Sequence, residues 1–298
     1  MTTPVESHIT PDTLLSPAIQ AWQYYLNDQG RSLFTVKAFI GDLNLMASYF
    51  PPDTSIGSVT TEQINRFLDW MQNERPVPCS PKSYSRRITS IKAFFRWLTQ
   101  SGRLTTDPAE KVLQQSVISP LPEVLTSEEQ EKILKVAQDQ FEGAKSDARP
   151  LALLRLLLET GIKKGECLAL NTNHLELEDE AAPFLFVRYP SNNSRYKERK
   201  IPLSKRWVEI YRVYQAQYKP IDQVFPWSPR RLEYLLEDIG VAAGLNKHLS
   251  FDMCRWTSAL NDWVAGEDPD TIRQKLGISK IQWREISNKL KQLAENQH

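Results

Sequence analysis

Lysine and arginine side chains recur at helical spacing in one stretch of the chain, and their chemistry suits phosphate binding. The cations are Lys82, Arg86, Arg87 and Lys92, and the opposite side of the same segment carries the apolar residues of the range 88–95. A helix with cations on one face and apolar residues on the other could lie along a phosphate backbone. Taken alone, the pattern favours the simpler interpretation of a solvated amphipathic helix.

Further cations occur in the second half of the chain. Arg195 and Lys197 follow a short polar turn, where they could meet a duplex or simply keep a surface hairpin soluble. Lys163 and Arg255 each stand close in sequence to an acid, so they could hold a phosphate or form internal ion pairs. The residues leave both alternatives open.

Composition excludes several classes of protein. The net charge of +1 over 298 residues is not that of a polybasic protein, and three scattered cysteines without a CxxC pair predict neither disulfides nor a metal site. We expect no cofactor. Apolar runs are too short to cross a bilayer, and the polar start lacks the features of a signal peptide, so no membrane partner and a cytoplasmic location are expected.

Apolar residues at helical spacing predict four helices in the first part of the chain. Ser32 is the predicted N-cap of the second, and the third is expected to follow Thr60 or Thr61. These helices predict an N-terminal tail (1–13), a helical domain (14–114) and, where prolines replace periodicity, an extended linker (115–125).

The second domain is predicted to span residues 126–298. Thr126 fits a capping box at its start, and helices are predicted over Pro150–Glu159 and Lys164–Leu170. Between Pro183 and Leu203, alternating apolar residues around a polar Ser191–Ser194 turn predict a β-hairpin, after which helices resume. The predicted fold class is mainly α with a small β-sheet.

Five motifs carry a family resemblance when they are read in order along residues 15–290. They are Ser32, Thr35 and Asp42-Leu43; the basic segment 86–95; Leu121-Pro122-Glu123-Val124-Leu125-Thr126; Thr160-Gly161-Ile162-Lys163-Lys164-Gly165-Glu166; and Lys197-Glu198-Arg199-Lys200-Ile201-Pro202-Leu203. Each is weak alone, but their order resembles the tyrosine recombinase, or phage integrase, family. The resemblance implies a four-helix, SAM-like core-binding domain followed by a catalytic domain of the DNA breaking-rejoining fold.

The family's chemistry uses two arginines and a lysine around the scissile phosphate, two supporting histidines or similar residues, and a tyrosine that attacks phosphorus. In this sequence the corresponding positions depart from that set in all but one case. The resemblance places the first arginine on Lys163, the lysine on Ser194, the first histidine on Asp252, the second arginine on Arg255, the second histidine on Ile278 and the nucleophile on Ser287. No tyrosine occurs after Tyr234.

The leading hypothesis is a catalytically inactive family member, a pseudoenzyme with a degenerate site, that clamps duplex DNA without cutting it. It would act as an accessory, architectural or regulatory factor in DNA recombination, DNA integration or mobile-element biology. The residues expected to contact DNA are Lys82, Arg86, Arg87, Lys92, Lys163, Arg195, Lys197 and Arg255.

Two other functions stay open. One is a divergent, active recombinase with a rebuilt site that uses Lys163, Arg195, Arg255 and an unusual nucleophile. His248, four residues before Asp252, is a possible displaced histidine, although a lone histidine is more often a surface residue. The other is a protein-interaction subunit that works beside an active recombinase or transposition protein. An apolar stripe of Ile286, Leu290 and Leu293 is compatible with a homo-oligomer on DNA and equally with packing inside one chain.

Overall fold

The computed structural model describes residues 9–113, 120–179, 181–190 and 192–296. The chain divides into two compact units, Met1–Pro120 and Leu121–His298, and each has its own apolar core. Of the linker predicted at 115–125, residues 115–119 lie outside the described part. Residues 120–125 form neither helix nor strand, and Leu125 is already buried in the core of the second unit.

The first unit is a helical bundle. Its helices are α1 (Leu15–Asp28), α2 (Leu33–Tyr49), α3 (Thr61–Asn73) and α4 (Pro81–Gln100), with a 3-10 turn at Ile56–Ser58. Ser32 accepts a hydrogen bond from the Thr35 amide, which confirms the predicted N-cap of α2. Of the two threonines proposed for α3, Thr60 is the cap, and it forms a capping box with Gln63.

Large aromatic side chains fill the core of this bundle. Trp22 of α1 meets Phe94 of α4 edge-to-face at 5.5 Å between ring centroids, and both side chains are fully buried. Because the apolar residues of α4 face this core, its polar side is directed away from it. The predicted amphipathic character of the basic helix is therefore confirmed for the apolar face.

The second unit combines helices with a small sheet. The helices are α5 (Ser127–Glu142), α6 (Arg149–Thr160), α7 (Lys164–Leu168), α8 (Lys205–Tyr218), α9 (Pro229–Ala242), α10 (Phe251–Val264), α11 (Pro269–Leu276) and α12 (Lys280–Glu295). The capping box predicted at Thr126 is present. Helix α7 ends before its predicted limit at Leu170, because the Leu170 carbonyl accepts a hydrogen bond from the Val224 amide, at 2.8 Å.

The predicted hairpin is present, with one strand more than expected. Strands β2 (Phe184–Val187) and β3 (Arg199–Pro202) pair antiparallel with Leu185 opposite Ile201, and a 3-10 segment, Asn192–Lys197, connects them. Strand β1 (Leu175–Glu176) pairs with the outer edge of β2. Two residues are too few to show a period of two, so the sequence pattern missed β1. Ser191, in the predicted turn, lies outside the described residues.

Candidate phosphate-binding site

The turn between α6 and α7 sets the position of Lys163. Gly161 ends α6 in the left-handed region with φ +58°, and a Cβ at this position would lie 3.2 Å from the Ser258 hydroxyl. Glycine is therefore required both by the backbone angle and by the approach of α10. The reversal makes Lys163 the N-cap residue of α7, directly beside α10.

A cleft of about 380 Å³ brings several predicted site residues together. Lys163, Asp252 and Arg255 line it, as does His248, while Lys164 at its wall forms an ion pair with Glu233. Lys163 comes from the α6–α7 turn and the other two family positions come from α10. The cleft therefore joins Lys163 and Arg255 with two carboxylates, Asp252, which is exposed, and Glu233, which is paired with Lys164.

The Arg255 guanidinium forms two of its hydrogen bonds with backbone carbonyls of the protein. Its Nη1 donates to the Gly161 carbonyl and its Nη2 donates to the Leu276 carbonyl, at 2.7 Å. Burial lowers the pKa of Arg255 to about 10, while the charge of Glu166 acts in the opposite direction. The guanidinium thus remains charged at neutral pH, but two of its N–H groups hold backbone carbonyls.

Of these two cations, Lys163 has the lower pKa and loses its proton more readily. Burial lowers its pKa to about 8; the positive charges of Arg255, Arg199 and Lys197 lower it further, and Glu166 opposes the shift. An ammonium at this position is a point charge without the two-pronged geometry of a guanidinium.

A buried ion pair behind Lys163 was not predicted. Arg199 of β3 donates to both carboxylate oxygens of Glu166, at 3.0 and 2.9 Å, and the Tyr189 hydroxyl donates to the same carboxylate. Despite its burial, these donors lower the pKa of Glu166 to about 2. Glu166 is also the acid that stands close to Lys163 in sequence, and it accepts a hydrogen bond from the Lys163 amide, at 2.9 Å. In the sequence, the only indication that Arg199 belongs to the site was its place in the family motif Lys197-Glu198-Arg199-Lys200.

The hairpin connection carries the remaining basic candidates. Ser194 is half-buried within the 3-10 segment Asn192–Lys197, and Arg195 beside it is exposed. The ammonium of Lys197 lies over the rings of Tyr189, at 5.9 Å, and Tyr196, at 5.2 Å. Arg195 is therefore the more accessible of the two predicted DNA-binding cations.

The last two family positions lie outside the cleft. Ile278 is buried between α11 and α12, with 8% of its surface exposed. The Ser287 hydroxyl donates to the Arg284 carbonyl of its own helix at 3.3 Å, and Ser287 is not among the described residues that line the cleft. In the apolar stripe of α12, Leu290 and Leu293 are buried against α10 and α11 of the same chain.

The basic helix α4 carries arginines that are paired with a buried carboxylate and lysines that are not. Arg86 and Arg87 lie 2.8 and 3.4 Å from the buried Asp42 carboxylate, which also accepts from the Ser90 hydroxyl at 2.8 Å. Burial raises the pKa of Asp42, whereas Ser90 and the two arginines act to lower it. Lys82 is exposed, and the Lys92 ammonium donates to the Glu110 carbonyl at 3.2 Å.

The described part of the chain contains neither a cluster of metal ligands nor a membrane-spanning helix. In the described ranges, no group of three or more His, Cys, Asp or Glu side chains is arranged to hold a metal ion. Among the same residues, no helix has the length and apolar character needed to cross a membrane. Cys167 and Cys254 are buried, whereas Cys79 is partly exposed and accepts a hydrogen bond from Arg87.

The sequences of known tyrosine recombinases align with most of this chain. The tyrosine recombinase XerC of Xanthomonas campestris pv. campestris (strain B100) is 25% identical over 265 residues, covering 86% of this chain and 78% of that protein. The tyrosine recombinase XerD of Caulobacter vibrioides is 30% identical over 226 residues, covering 70% of each. Each alignment covers at least 70% of this chain.

Solved structures show the same fold. The XerH site-specific recombinase bound to palindromic difH substrate, in a post-cleavage complex, matches with a TM-score of 0.77 and 17% identity over 99% of this chain and 98% of that one. A lambda integrase dimer bound to a COC' core site matches with a TM-score of 0.71 and 15% identity, over 96% of this chain and 81% of that one. The expected fold class is confirmed.

Two family models cover both units of the chain. The model of the phage integrase N-terminal SAM-like domain matches residues 19–102, and the model of the phage integrase family itself matches residues 123–286, more than half of the chain. Together with the relative at 30% identity, these matches show that the chain belongs to the phage integrase family.

Proposed function

We propose that this protein binds duplex DNA through the phage integrase fold without cutting it, and so acts as an accessory, architectural or regulatory factor in DNA recombination. The observation that carries the proposal is the serine at the position of the family's nucleophile, Ser287, in a chain with no tyrosine after Tyr234. Residues 14–114 and 126–298 form the two DNA-contacting domains of this proposal, joined by the linker 115–125.

Ser287 is a poor replacement for a tyrosine. A serine side chain ends several bonds short of the position of a phenolic oxygen, and its hydroxyl is harder to deprotonate. The Ser287 hydroxyl also donates to the Arg284 carbonyl of its own helix. An attack on phosphorus would have to begin by breaking this bond and by finding a base.

The rest of the site supports binding better than it supports cleavage. Lys163 and Arg255 keep two positive charges in the cleft, which favour a phosphate, while Asp252 opposes them. Loss of one transition-state donor costs about 2.7–4 kcal/mol in comparable sites. Here the family lysine is replaced by Ser194 and a supporting histidine by the buried Ile278. Several such losses together remove turnover and leave the electrostatic attraction to the duplex.

DNA is the partner that the family relationship favours. The crystallised XerH and lambda integrase proteins are bound to DNA substrates, and the latter is a dimer on its site. By this analogy the cations Lys82, Lys92, Arg195 and Lys197 contact the phosphate backbone of the duplex. Arg86 and Arg87 share the buried Asp42, so their first role is to hold α2 to α4.

A nicked duplex tests both halves of the proposal. The protein is incubated with a random-sequence pool of duplexes, each nicked to trap a covalent intermediate, and the bound fraction is recovered and analysed on a denaturing gel. We expect binding that weakens steeply with salt and no covalent adduct. XerH with a nicked difH duplex serves as the positive control for trapping.

The possible outcomes separate the three candidate functions. An adduct that disappears in the Ser287→Ala variant would show a rebuilt active site and overturn the non-cleaving role. Failure to bind any duplex at low salt would overturn DNA binding itself and leave the protein-interaction role. Binding without an adduct supports the proposal.

A further inference from the structure

Two adjacent apolar side chains at the start of α2 are almost fully exposed. Leu33 is 80% and Phe34 is 88% exposed, in the first turn of a helix whose core face begins at the buried Val36. Single exposed apolar residues are ordinary on protein surfaces, but a leucine and a phenylalanine side by side leave a large apolar area in water. Such a pair marks a contact surface.

Helices α2 and α4 run in parallel and begin at the same end of the bundle. Arg86 donates to the Ala38 carbonyl and Ser90 donates to Asp42, and both pairs are 48 residues apart in the chain. At the same offset, Lys82 in the first turn of α4 corresponds to Phe34 in the first turn of α2. The exposed apolar pair and Lys82 therefore lie at the same end of the bundle.

The surroundings of the pair are positively charged. Arg31 precedes it, Lys37 lies one turn along the same helix face, and Lys82 comes from α4; all three side chains are exposed. Neither α2 nor α4 has an acidic residue in its first turn, so the positive ends of the two helix dipoles are not neutralised from within. Asp28, at the end of α1, is the nearest acid in sequence.

We propose that Leu33 and Phe34 read thymine in the major groove of duplex DNA, an inference that rests on the DNA-binding function proposed above. The C5-methyl group of thymine is the apolar feature of the major groove, and aliphatic and aromatic side chains contact it. Arg31, Lys37 and Lys82 would hold the flanking phosphates. The pair is then a specificity determinant, because phosphate contacts by themselves carry no sequence information.

The charge pattern favours DNA over a second copy of the chain as the occupant. An apolar centre with a rim of cations matches a groove whose floor carries methyl groups and whose edges are phosphates. A protein partner would have to supply an acidic rim around an apolar pocket. The α2 surface of a second copy cannot supply one, since its own rim carries the same cations.

Removing the thymine methyl tests the assignment directly. Binding is measured to a duplex of alternating A and T and to the matching duplex of alternating A and deoxyuridine, which differ only in the methyl group. For the unaltered protein we expect the deoxyuridine duplex to bind more weakly, by about fourfold for each methyl contacted. In the Phe34→Ala variant, the ratio of the two affinities is expected to fall towards one.

Ile221→Ala is the matched control, since Ile221 is 87% exposed and belongs to the second unit. It should keep the ratio of the unaltered protein. Equal affinity of the unaltered protein for both duplexes overturns the thymine contact while leaving DNA binding intact. A change in oligomeric state of Phe34→Ala without DNA assigns the surface to a second copy and overturns it as well. Absence of binding to either duplex overturns the proposed function itself.

Discussion

At the scale of single residues, Lys163 is the most consequential departure from the family pattern. The resemblance places an arginine there, whose charge persists at every physiological pH. The lysine instead lies partly buried among Arg255, Arg199 and Lys197, and its pKa falls to about 8. The cleft consequently has a positive charge that can be lost close to neutral pH.

On the proposed DNA-binding function, the titration of Lys163 should make DNA affinity depend on pH. Below about 8 its ammonium is protonated and attracts phosphate; as the pH rises through that value the charge and the attraction are lost. We expect affinity to fall by about tenfold across this range. Lys163→Arg should remove this dependence, because a guanidinium stays protonated.

The measurement is fluorescence anisotropy of a labelled duplex at constant ionic strength. Lys164→Arg is the matched control, since Lys164 lines the same cleft but is paired with Glu233, and it should retain the unaltered profile. Identical pH profiles for the unaltered protein and Lys163→Arg would exclude a phosphate contact by Lys163.

At the scale of elements, two arginines hold the end of α11. Arg199 of β3 donates to the Lys275 carbonyl at 2.6 Å, and Arg255 of α10 donates to the next carbonyl, that of Leu276, at 2.7 Å. The last carbonyls of a helix lack partners within it and carry partial negative charge, so cations are favoured there. This contact sets where α12, with Ser287, begins.

Gly277 completes the junction and permits a test of it. It has φ +59°, and a Cβ at this position would lie 2.5 Å from Nη1 of Arg199, which Glu166 holds in place. Gly277→Ala should lower the free energy of unfolding by about 2–4 kcal/mol, from backbone strain plus the clash.

Gly266→Ala separates the two contributions. Gly266 also has positive φ, +79°, but a Cβ there would meet no atom within 4 Å. We expect this variant to lose about 1–2 kcal/mol, the strain alone. Urea unfolding of both variants gives the comparison, and equal losses would show that Arg199 moves aside without cost.

At the scale of the whole molecule, the two units present separate sets of cations. Each unit has its own core, so a surface substitution in one leaves the folding of the other unchanged. Lys82 belongs to the first unit and Arg195 to the second, and both side chains are exposed. If both units contact the same duplex, their contributions to binding are independent.

Independent phosphate contacts predict additive effects. Lys82→Ala and Arg195→Ala should each reduce the steepness of the log–log salt dependence of binding by about 1, and their losses of binding free energy should add within about 0.5 kcal/mol in the double variant. Binding titrations over a range of salt concentrations measure both quantities.

Lys132→Ala provides the control for net charge, because Lys132 pairs on the surface of α5 with Glu128, at 2.7 Å. It should leave the salt dependence unchanged. A double variant no weaker than either single variant would mean that the two units do not bind the duplex together.

Much of the architecture was predictable because it depends on local patterns. Ser32 and Thr126 cap helices as their sequence context indicates, and the hairpin from Phe184 to Pro202 follows from alternating apolar residues. Strand β1 was missed, and the length of α7 was overestimated. In both cases a contact with a distant segment, rather than local preference, determines the result.

The order of the elements, the family and the residue types at each site position, including the serine at 287, could be read from the chain alone, because all of these are properties of order along it. Which charges meet, in contrast, depends on the three-dimensional fold. It pairs Arg199 with Glu166, brings Lys163 and Arg255 to one cleft, and directs Arg86 and Arg87 to Asp42. Partner choice depends on distances and burial between segments far apart in sequence, and no spacing within one segment encodes them.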